Sequence, residues 1–185
     1  MRPEGRRTES AAAAVGSHEP APQASLVLMS TWADLEREAP EHAAVVLDRF
    51  TSHLHHILGT LRPDGSPRLS GTEFHVFDGE AWMGSMPDSM KGRDLRRDSR
   101  FALHAAPIDT ELAVGDAKIA GRAELVTDPA VTASIARRLG REDGDLGGDL
   151  FRLDLTEAVV TRVEGDRLHV ATWRPGRGVH RVDRA

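Results

Sequence analysis

Residues 61–103 read LRPDGSPRLSGTEFHVFDGEAWMGSMPDSMKGRDLRRDSRFAL, and this stretch decides the fold. Turn residues at Arg62-Pro63-Asp64-Gly65 and at Phe77-Asp78-Gly79-Glu80 separate runs in which apolar and polar side chains alternate. That pattern is typical of β-hairpins. A helix is predicted to begin at Ser89 and to lead directly into a strand at Arg100. The stretch therefore predicts an antiparallel sheet into which one helix is inserted.

The same reading extends to the rest of the chain. Strands are predicted at residues 55–61, 67–76, 80–85, 100–106, 117–126, 150–155, 157–163 and 167–173, the last two joined by a turn at 164–167. Helices are predicted at residues 31–38, 40–50, 89–97 and 129–139, and residues 140–149 form a loop. So many closely spaced strands favour a mainly β (α+β) antiparallel small barrel with peripheral helices over a doubly wound parallel sheet.

Composition limits the classes of function. With 185 residues and 39% hydrophobic content, one buried core is expected. The formal net charge of −5 argues against nucleic acid as a partner, because non-specific binding usually needs a positive field. The chain has no cysteine, which excludes thiolate metal sites and fits a reducing compartment. We expect a cytoplasmic protein without a membrane partner.

The N-terminal segment does not have the pattern of the folded domain. Alanines at residues 11–14 follow Arg6-Arg7, but polar residues and Pro20 interrupt them before an apolar run forms. Residues 1–28 are therefore predicted to be a disordered tail. Thr31 with Asp34 forms a capping-box pattern, so the folded domain is predicted to span residues 29–185.

The start of the helix at Ser89 carries the chemistry. Ser89 occupies an N-cap position, and Lys91 and Arg93 fall in the first turn, where cations oppose the helix dipole. A bound anion would remove that conflict, so a phosphate site is the first hypothesis. A plain cap and a solvated lysine are the alternative interpretation.

Two further segments are candidates for contact with a ligand. Gly84-Ser85-Met86 ends the strand before the helix, where backbone amides can approach a flat ring. Gly71 interrupts another strand, and glycine there often marks close approach of a ligand or of backbone. Bends of a barrel would explain both equally well.

The order of these motifs resembles the pyridoxamine 5'-phosphate oxidase-like family over about residues 40–175. The segments that carry the resemblance are Thr60 to Arg68, Gly84-Ser85-Met86, Ser89 to Leu95 and Arg96 to Arg100. The resemblance implies the FMN-binding split-barrel fold and a flavin- or deazaflavin-dependent oxidoreductase. It also implies a homodimer with the cofactor in the groove between the subunits.

The resemblance assigns roles to particular residues. Lys91 matches the family's lysine on the cofactor phosphate, and Ser89 and Arg93 match its polar neighbours. A second set would flank the ring and the ribityl-phosphate chain: Arg68, Ser70, Gly71, Thr72, Ser85 and Met86. Arg68 is also assigned to the phosphate.

Departures from the family pattern argue against pyridoxamine phosphate as the substrate. True pyridoxamine phosphate oxidases have an arginine where this chain has Met90, and a basic residue where it has His75. Their C-terminal substrate-contacting segment is not recognisable. Trp173, with Arg174 and Arg177, could reach a partner's cofactor as a stacking surface, or could simply pack the last strand.

Other chemistries find less support in the sequence. His55 and His56 would point to opposite faces of a strand, which argues against a metal site. No classical catalytic side chain is visible, as expected where a cofactor performs the redox step. We expect FMN, or deazaflavin coenzyme F-420, as the cofactor of an oxidoreductase acting on a small organic substrate. The alternative is a protein that carries flavin or haem without turnover.

Overall fold

The computed structural model describes residues 30–107 and 111–185, and the tail predicted at residues 1–28 lies outside them. The described helices are α1 (Trp32–Glu38), α2 (Pro40–Thr51), α3 (Met90–Arg97) and α4 (Pro129–Arg138). The described strands are β1 (His56–Leu61), β2 (Pro67–Thr72), β3 (His75–Phe77), β4 (Glu80–Ser85), β5 (Arg100–His104), β6 (Asp116–Leu125), β7 (Asp149–Glu164), β8 (Arg167–Arg174) and β9 (Gly178–Arg184).

The strands form one antiparallel sheet in the order β2-β1-β5-β6-β7-β4-β3. The long strand β7 pairs with β6 along one edge. Along its other edge it pairs first with β4 and then with β8, which in turn pairs with β9. The predicted mainly β antiparallel architecture with peripheral helices is confirmed, and all three predicted hairpin turns join neighbouring strands.

Helices α1 and α2 close one end of the sheet with their apolar faces. The capping box at the start of α1 is present, since Asp34 N donates to Thr31 Oγ1 and Thr31 N donates to Asp34 Oδ2. Helix α2 buries Val46 and Phe50, and the Phe50 ring lies 4.7 Å from that of Phe74. Burial of such side chains, each contributing about 1.5–3 kcal/mol, holds both helices on the sheet.

The predicted strand at residues 67–76 is two strands. β2 ends at Thr72 and pairs with β1, whereas β3 begins at His75 and pairs with β4 at the opposite end of the sheet order. Phe74 is buried between them and packs against Trp32 and Phe50. The alternation of buried residues continues through this crossing, so sequence periodicity alone did not reveal it.

The strands predicted at residues 150–155 and 157–163 form the single strand β7. The predicted break coincides with a bulge, because Ala120 pairs with Glu157 while Gly121 pairs with Leu155. Thr156 is the additional residue, and its Oγ1 donates to the carbonyl of Ala120 at 3.1 Å. Strand β9 was not predicted, since its apolar residues do not alternate. No helix in the described residues is long and apolar enough to cross a membrane.

Candidate functional site

Helix α3 begins where the sequence places it, and Ser89 caps it. Gly92 N donates to Ser89 Oγ at 3.1 Å. Ser89 Oγ also lies 2.5 Å from Ser85 Oγ at the end of β4. A Cβ atom on Gly92 would come within 3.1 Å of both hydroxyl oxygens, so glycine lets the helix start approach the strand end closely. The cap thus joins the end of β4 to the start of α3, two segments that the sequence singled out as candidates.

Lys91 reaches across from α3 to strand β2. Its Nζ donates to the carbonyl oxygen of Gly71 at 2.7 Å. Burial lowers the pKa of Lys91, and the nearby Glu73 carboxylate partly opposes that effect. No carboxylate of the described residues lies within 4 Å of Nζ. The half-buried cation therefore has a place for an additional anionic partner.

A cleft of about 520 Å³ lies beside this lysine. Its walls come from the segment between α2 and β1, strands β2 to β4, the start of α3, the loop between α4 and β7, and the first residue of β7. Five of the predicted site residues line it together: Gly71, Thr72, Ser85, Met86 and Lys91. We refer to this space as the Lys91 cleft.

Arg68 belongs to a neighbouring network under the helix. Its Nε donates to Asp94 Oδ2 at 2.6 Å, and Thr60 Oγ1 donates to the same oxygen at 3.0 Å. Arg97 bonds the other oxygen of this buried carboxylate. Burial alone would raise the pKa of Asp94, but the hydrogen bonds from these partners outweigh it and hold the pKa below its ordinary value. The network fixes α3 against β1 and β2, and it positions Arg68.

Three other predicted residues lie outside the cleft walls. Ser89 is occupied by capping, as described. Ser70 lies between Leu69 and Gly71 in β2, in register with Leu58 of β1. Arg93 is largely exposed and lies 3.6 Å from Asp88 Oδ1, so its charge is directed toward solvent beside the helix start.

Trp173 does not line the Lys91 cleft, and its predicted role as a stacking surface is wrong for this chain. The side chain is fully buried in the core. Its Nε1 donates to Glu38 Oε2 at 3.1 Å, and Gly176 N donates to the same oxygen at the same distance. The segment after Trp173 turns back into strand β9 instead of extending outward. Packing of the last hairpin accounts for the tryptophan.

Sequence reasoning missed the contribution of the loop between α4 and β7. This loop brings Arg141 and Gly147 to the cleft wall, and Asp149 at the start of β7 follows them. A Cβ atom on Gly148 would lie 2.2 Å from the carbonyl oxygen of Ser85, so the loop backbone rests directly on the end of β4. The adjacent glycines at residues 147–148 were the available signal, because paired glycines often mark close backbone approach.

Asp149 has an incomplete set of hydrogen bonds. Its Oδ1 pairs with Arg96, whereas Oδ2 is buried with no hydrogen-bond partner in the part of the chain that the structure describes. Buried carboxylate oxygens are rarely left unpaired. This oxygen lies against the start of α3, 3.0 Å from the position that a Cβ atom on Gly92 would take.

The cleft therefore combines features that suit a phosphorylated flat cofactor. Lys91 and Arg141 supply positive charge at the cleft. The carboxylates of Glu73 and Asp149 also line it, and Arg96 pairs with that of Asp149. Leu54, Met86, Leu139 and Leu146 supply apolar surface. A Cβ atom on Gly71 or on Gly84 would meet nothing within 4 Å, so both glycines leave open space on the cleft wall. These residues fit a flavin phosphate and ring.

A comparison with protein families decides the relationship. A family model described as pyridoxamine 5'-phosphate oxidase matches residues 42–166, which is more than half of the chain. The chain belongs to this family. The split barrel expected from the sequence is thereby confirmed. A search of curated proteins finds no match.

Solved structures agree on the fold of this pyridoxamine 5'-phosphate oxidase family member. PhzG from Burkholderia lata 383, in complex with tetrahydrophenazine-1-carboxylic acid, is 15% identical, with 81% of this chain and 95% of that chain covered and a TM-score of 0.57. A heme binding protein from Mycobacterium smegmatis is 18% identical, with coverages of 71% and 58% and a TM-score of 0.55.

A third structure comes from Clostridium acetobutylicum and is related to general stress protein 26 of the pyridoxinephosphate oxidase family. It is 16% identical, with coverages of 72% and 96% and a TM-score of 0.52. At these identities the likeness concerns the fold alone. The fold family includes flavin-type oxidoreductases and haem-binding proteins.

Proposed function

We propose that this protein is an FMN-binding oxidoreductase that transfers hydride to or from a small organic substrate. The observation that carries the proposal is the Lys91 cleft, where a half-buried lysine, a buried hydroxyl and two open glycines from separate elements share one space. When bound, FMN would supply the redox chemistry, and the protein would supply binding, orientation and shielding from water.

The residues divide between the two ends of the cofactor. Lys91 would hold the phosphate, with Arg141 as a further cation. Ser89 would support the site by capping α3, and the Arg93 side chain would have to turn from solvent to reach the phosphate. A phosphate dianion would also favour protonated Lys91, opposing the effect of burial on its pKa. Arg68 and Ser70 on β2 would support this wall, with Gly71 and Thr72 beside the ring and Ser85 and Met86 opposite. Deazaflavin coenzyme F-420 remains the alternative cofactor.

A homodimer would complete the site. Ile57 pairs with Gly71 and Gly59 pairs with Leu69, so Ile57 and Leu69 lie on the same outer face of the sheet. Their exposed fractions are 48% and 74%, and that of Met86 at the cleft is 76%. Exposed apolar side chains in such a group are typical of protein interfaces. A second copy covering them would close the cleft from outside.

Binding of haem without turnover is the second candidate. It is favoured by His55 and His75, which both line the Lys91 cleft, because imidazole is a common axial ligand of haem iron. The heme binding protein from Mycobacterium smegmatis has the same fold, which supports the candidate further.

Spectroscopic titration with FMN, coenzyme F-420 and haem separates these functions. We expect FMN to bind with a dissociation constant of about 10 µM or lower, to give yellow protein and to bleach on addition of a reductant. A Soret band from bound haem, with no flavin or deazaflavin bound in the micromolar range, would reject the oxidoreductase in favour of the second candidate. Cytoplasmic location stays a prediction from the sequence.

A further inference from the structure

A second cavity, of about 410 Å³, lies between helix α2 and strands β7, β8 and β9. It shares no lining residue with the Lys91 cleft. Its apolar surface comes from three elements, with Val45 on α2, Val160 on β7, and Val170 and Ala171 on β8. We refer to it as the α2–β9 cavity. Its volume falls within the range of roughly 300–1,000 Å³ that small-molecule sites occupy.

Arg49 brings an incompletely paired guanidinium to this cavity. Its side chain is 13% exposed, and Nη2 bonds Asp48 Oδ2 at 2.5 Å. Its Nε, in contrast, is buried and has no hydrogen-bond partner among residues 30–107 and 111–185. An unpaired donor on a buried cation is costly, so an anion bound beside this guanidinium would stabilise it.

Arg181 on β9 supplies a second positive charge at the same cavity. Within the described chain it has no carboxylate within 4 Å, whereas Asp183 on the same strand is bonded by His169 Nδ1 at 2.7 Å. Arg181 also acts on His42, which lines the same cavity. Burial is the main cause that lowers the pKa of His42, and the positive charge of Arg181 lowers it further. The hydrogen bond from His42 Nε2 to the carbonyl of Ala158 opposes this lowering.

The charges around the cavity favour an anion with a single charge. Three arginines line it, Arg49, Arg162 and Arg181, together with the two carboxylates of Glu41 and Asp183. The cations exceed the carboxylates by one charge, which a monoanion balances and a dianion such as a phosphate exceeds. Arginine donates to carboxylates with charge-assisted hydrogen bonds, which are stronger than neutral ones. The valine surface next to the arginines suits the hydrocarbon part of the same molecule.

We propose that the α2–β9 cavity is a binding site for a small monocarboxylate. The guanidinium groups of Arg49 and Arg181 take the carboxylate, and Val45, Val160 and Val170 contact the apolar body. This site is separate from the Lys91 cleft and does not depend on the function proposed for it.

Titration with 3-phenylpropionate, followed by amide NMR shifts and calorimetry on the full chain, tests the proposal. We expect a dissociation constant below about 1 mM and shifts concentrated at Val170 and Ala171. The uncharged analogue 3-phenyl-1-propanol should bind about tenfold more weakly, and Arg181→Gln should cause a similar loss. Arg184→Gln, on the same strand but outside the cavity lining, serves as the matched control and should leave binding unchanged.

Five results would overturn the proposal. The first four are the absence of binding, equal binding of acid and alcohol, shifts concentrated at the Lys91 cleft, and tighter binding of inorganic phosphate than of 3-phenylpropionate. Unchanged affinity in Arg181→Gln would also reject it. Because Arg181 is exposed on an outer strand, this variant is expected to fold, and circular dichroism verifies that it does.

Discussion

Lys91 Nζ on helix α3 donates a hydrogen bond to the carbonyl oxygen of Gly71 on strand β2 at 2.7 Å. This bond spans twenty residues of sequence and joins two walls of the Lys91 cleft. It holds the ammonium group half-buried in the first turn of a helix, where the helix dipole disfavours a cation. An anionic ligand, such as the proposed FMN phosphate, would offset that unfavourable interaction.

The buried carboxylate of Asp94 should account for much of the attachment of α3. Asp94→Asn removes the charge that Arg68, Thr60 and Arg97 surround, and it leaves Arg68 without its ionic partner. We expect a loss of about 3 kcal/mol in the free energy of unfolding at neutral pH, measured by urea denaturation. Asp98→Asn, which affects the more exposed pair with Arg100, is the control and should cost much less.

The effect of Asp94 should also depend on pH. Because the pKa of Asp94 in the folded protein is below its ordinary value of 3.8, its contribution is fully present above that value. It is lost as the pH falls through the lower folded pKa. The stability difference between wild type and Asp94→Asn should therefore shrink in acid. A difference that stays constant from neutral pH to strong acid would contradict the assigned role of the charge.

Gly148 should be required for the loop that forms the outer wall of the cleft. In Gly148→Ala the new Cβ would approach the Ser85 carbonyl to 2.2 Å, so the loop between α4 and β7 must move. We expect weaker FMN binding, by about tenfold or more, together with a lower melting temperature. Gly59→Ala is the control, because its Cβ would make only an ordinary contact at 3.5 Å. Equal affinities for FMN in both variants would exclude the loop from the site.

Leu69 should contribute to the proposed interface between two copies. Leu69→Glu places a charge on the exposed apolar face of β2, which should shift sedimentation from dimer to monomer and weaken FMN binding. Val182→Glu, on an exposed position of β9, is the matched control and should remain a dimer. A wild-type protein that sediments as a monomer at micromolar concentration would refute the shared site.

Local sequence signals predicted the elements around the cleft well. Three predicted features that depend only on neighbouring residues are present. These are Ser89 as the cap of α3, the capping box at Thr31 and the hairpin turn at residues 62–65. The phosphate hypothesis came from the same local pattern of charges. Short-range chemistry therefore located the part of the cleft wall that the end of β4 and the start of α3 form.

Long-range packing explains what the sequence did not reveal. Nothing local distinguishes a strand that continues through Glu73 from one that crosses the sheet there. The hydrogen-bond acceptor of the buried Trp173 Nε1 is Glu38, which lies 135 residues earlier in the chain. Likewise, the approach of Gly148 to Ser85 depends on how two distant segments pack. Such contacts follow from the whole fold and not from any one motif.

The difference between FMN and riboflavin tests the central claim most directly. Lys91→Ala should weaken FMN by about tenfold or more, measured by quenching of flavin fluorescence, and should change riboflavin affinity little because riboflavin has no phosphate. The chain's other lysine, Lys118, lies outside the Lys91 cleft, and Lys118→Ala should leave both affinities unchanged. An equal loss for FMN and riboflavin in Lys91→Ala would contradict the phosphate role of Lys91.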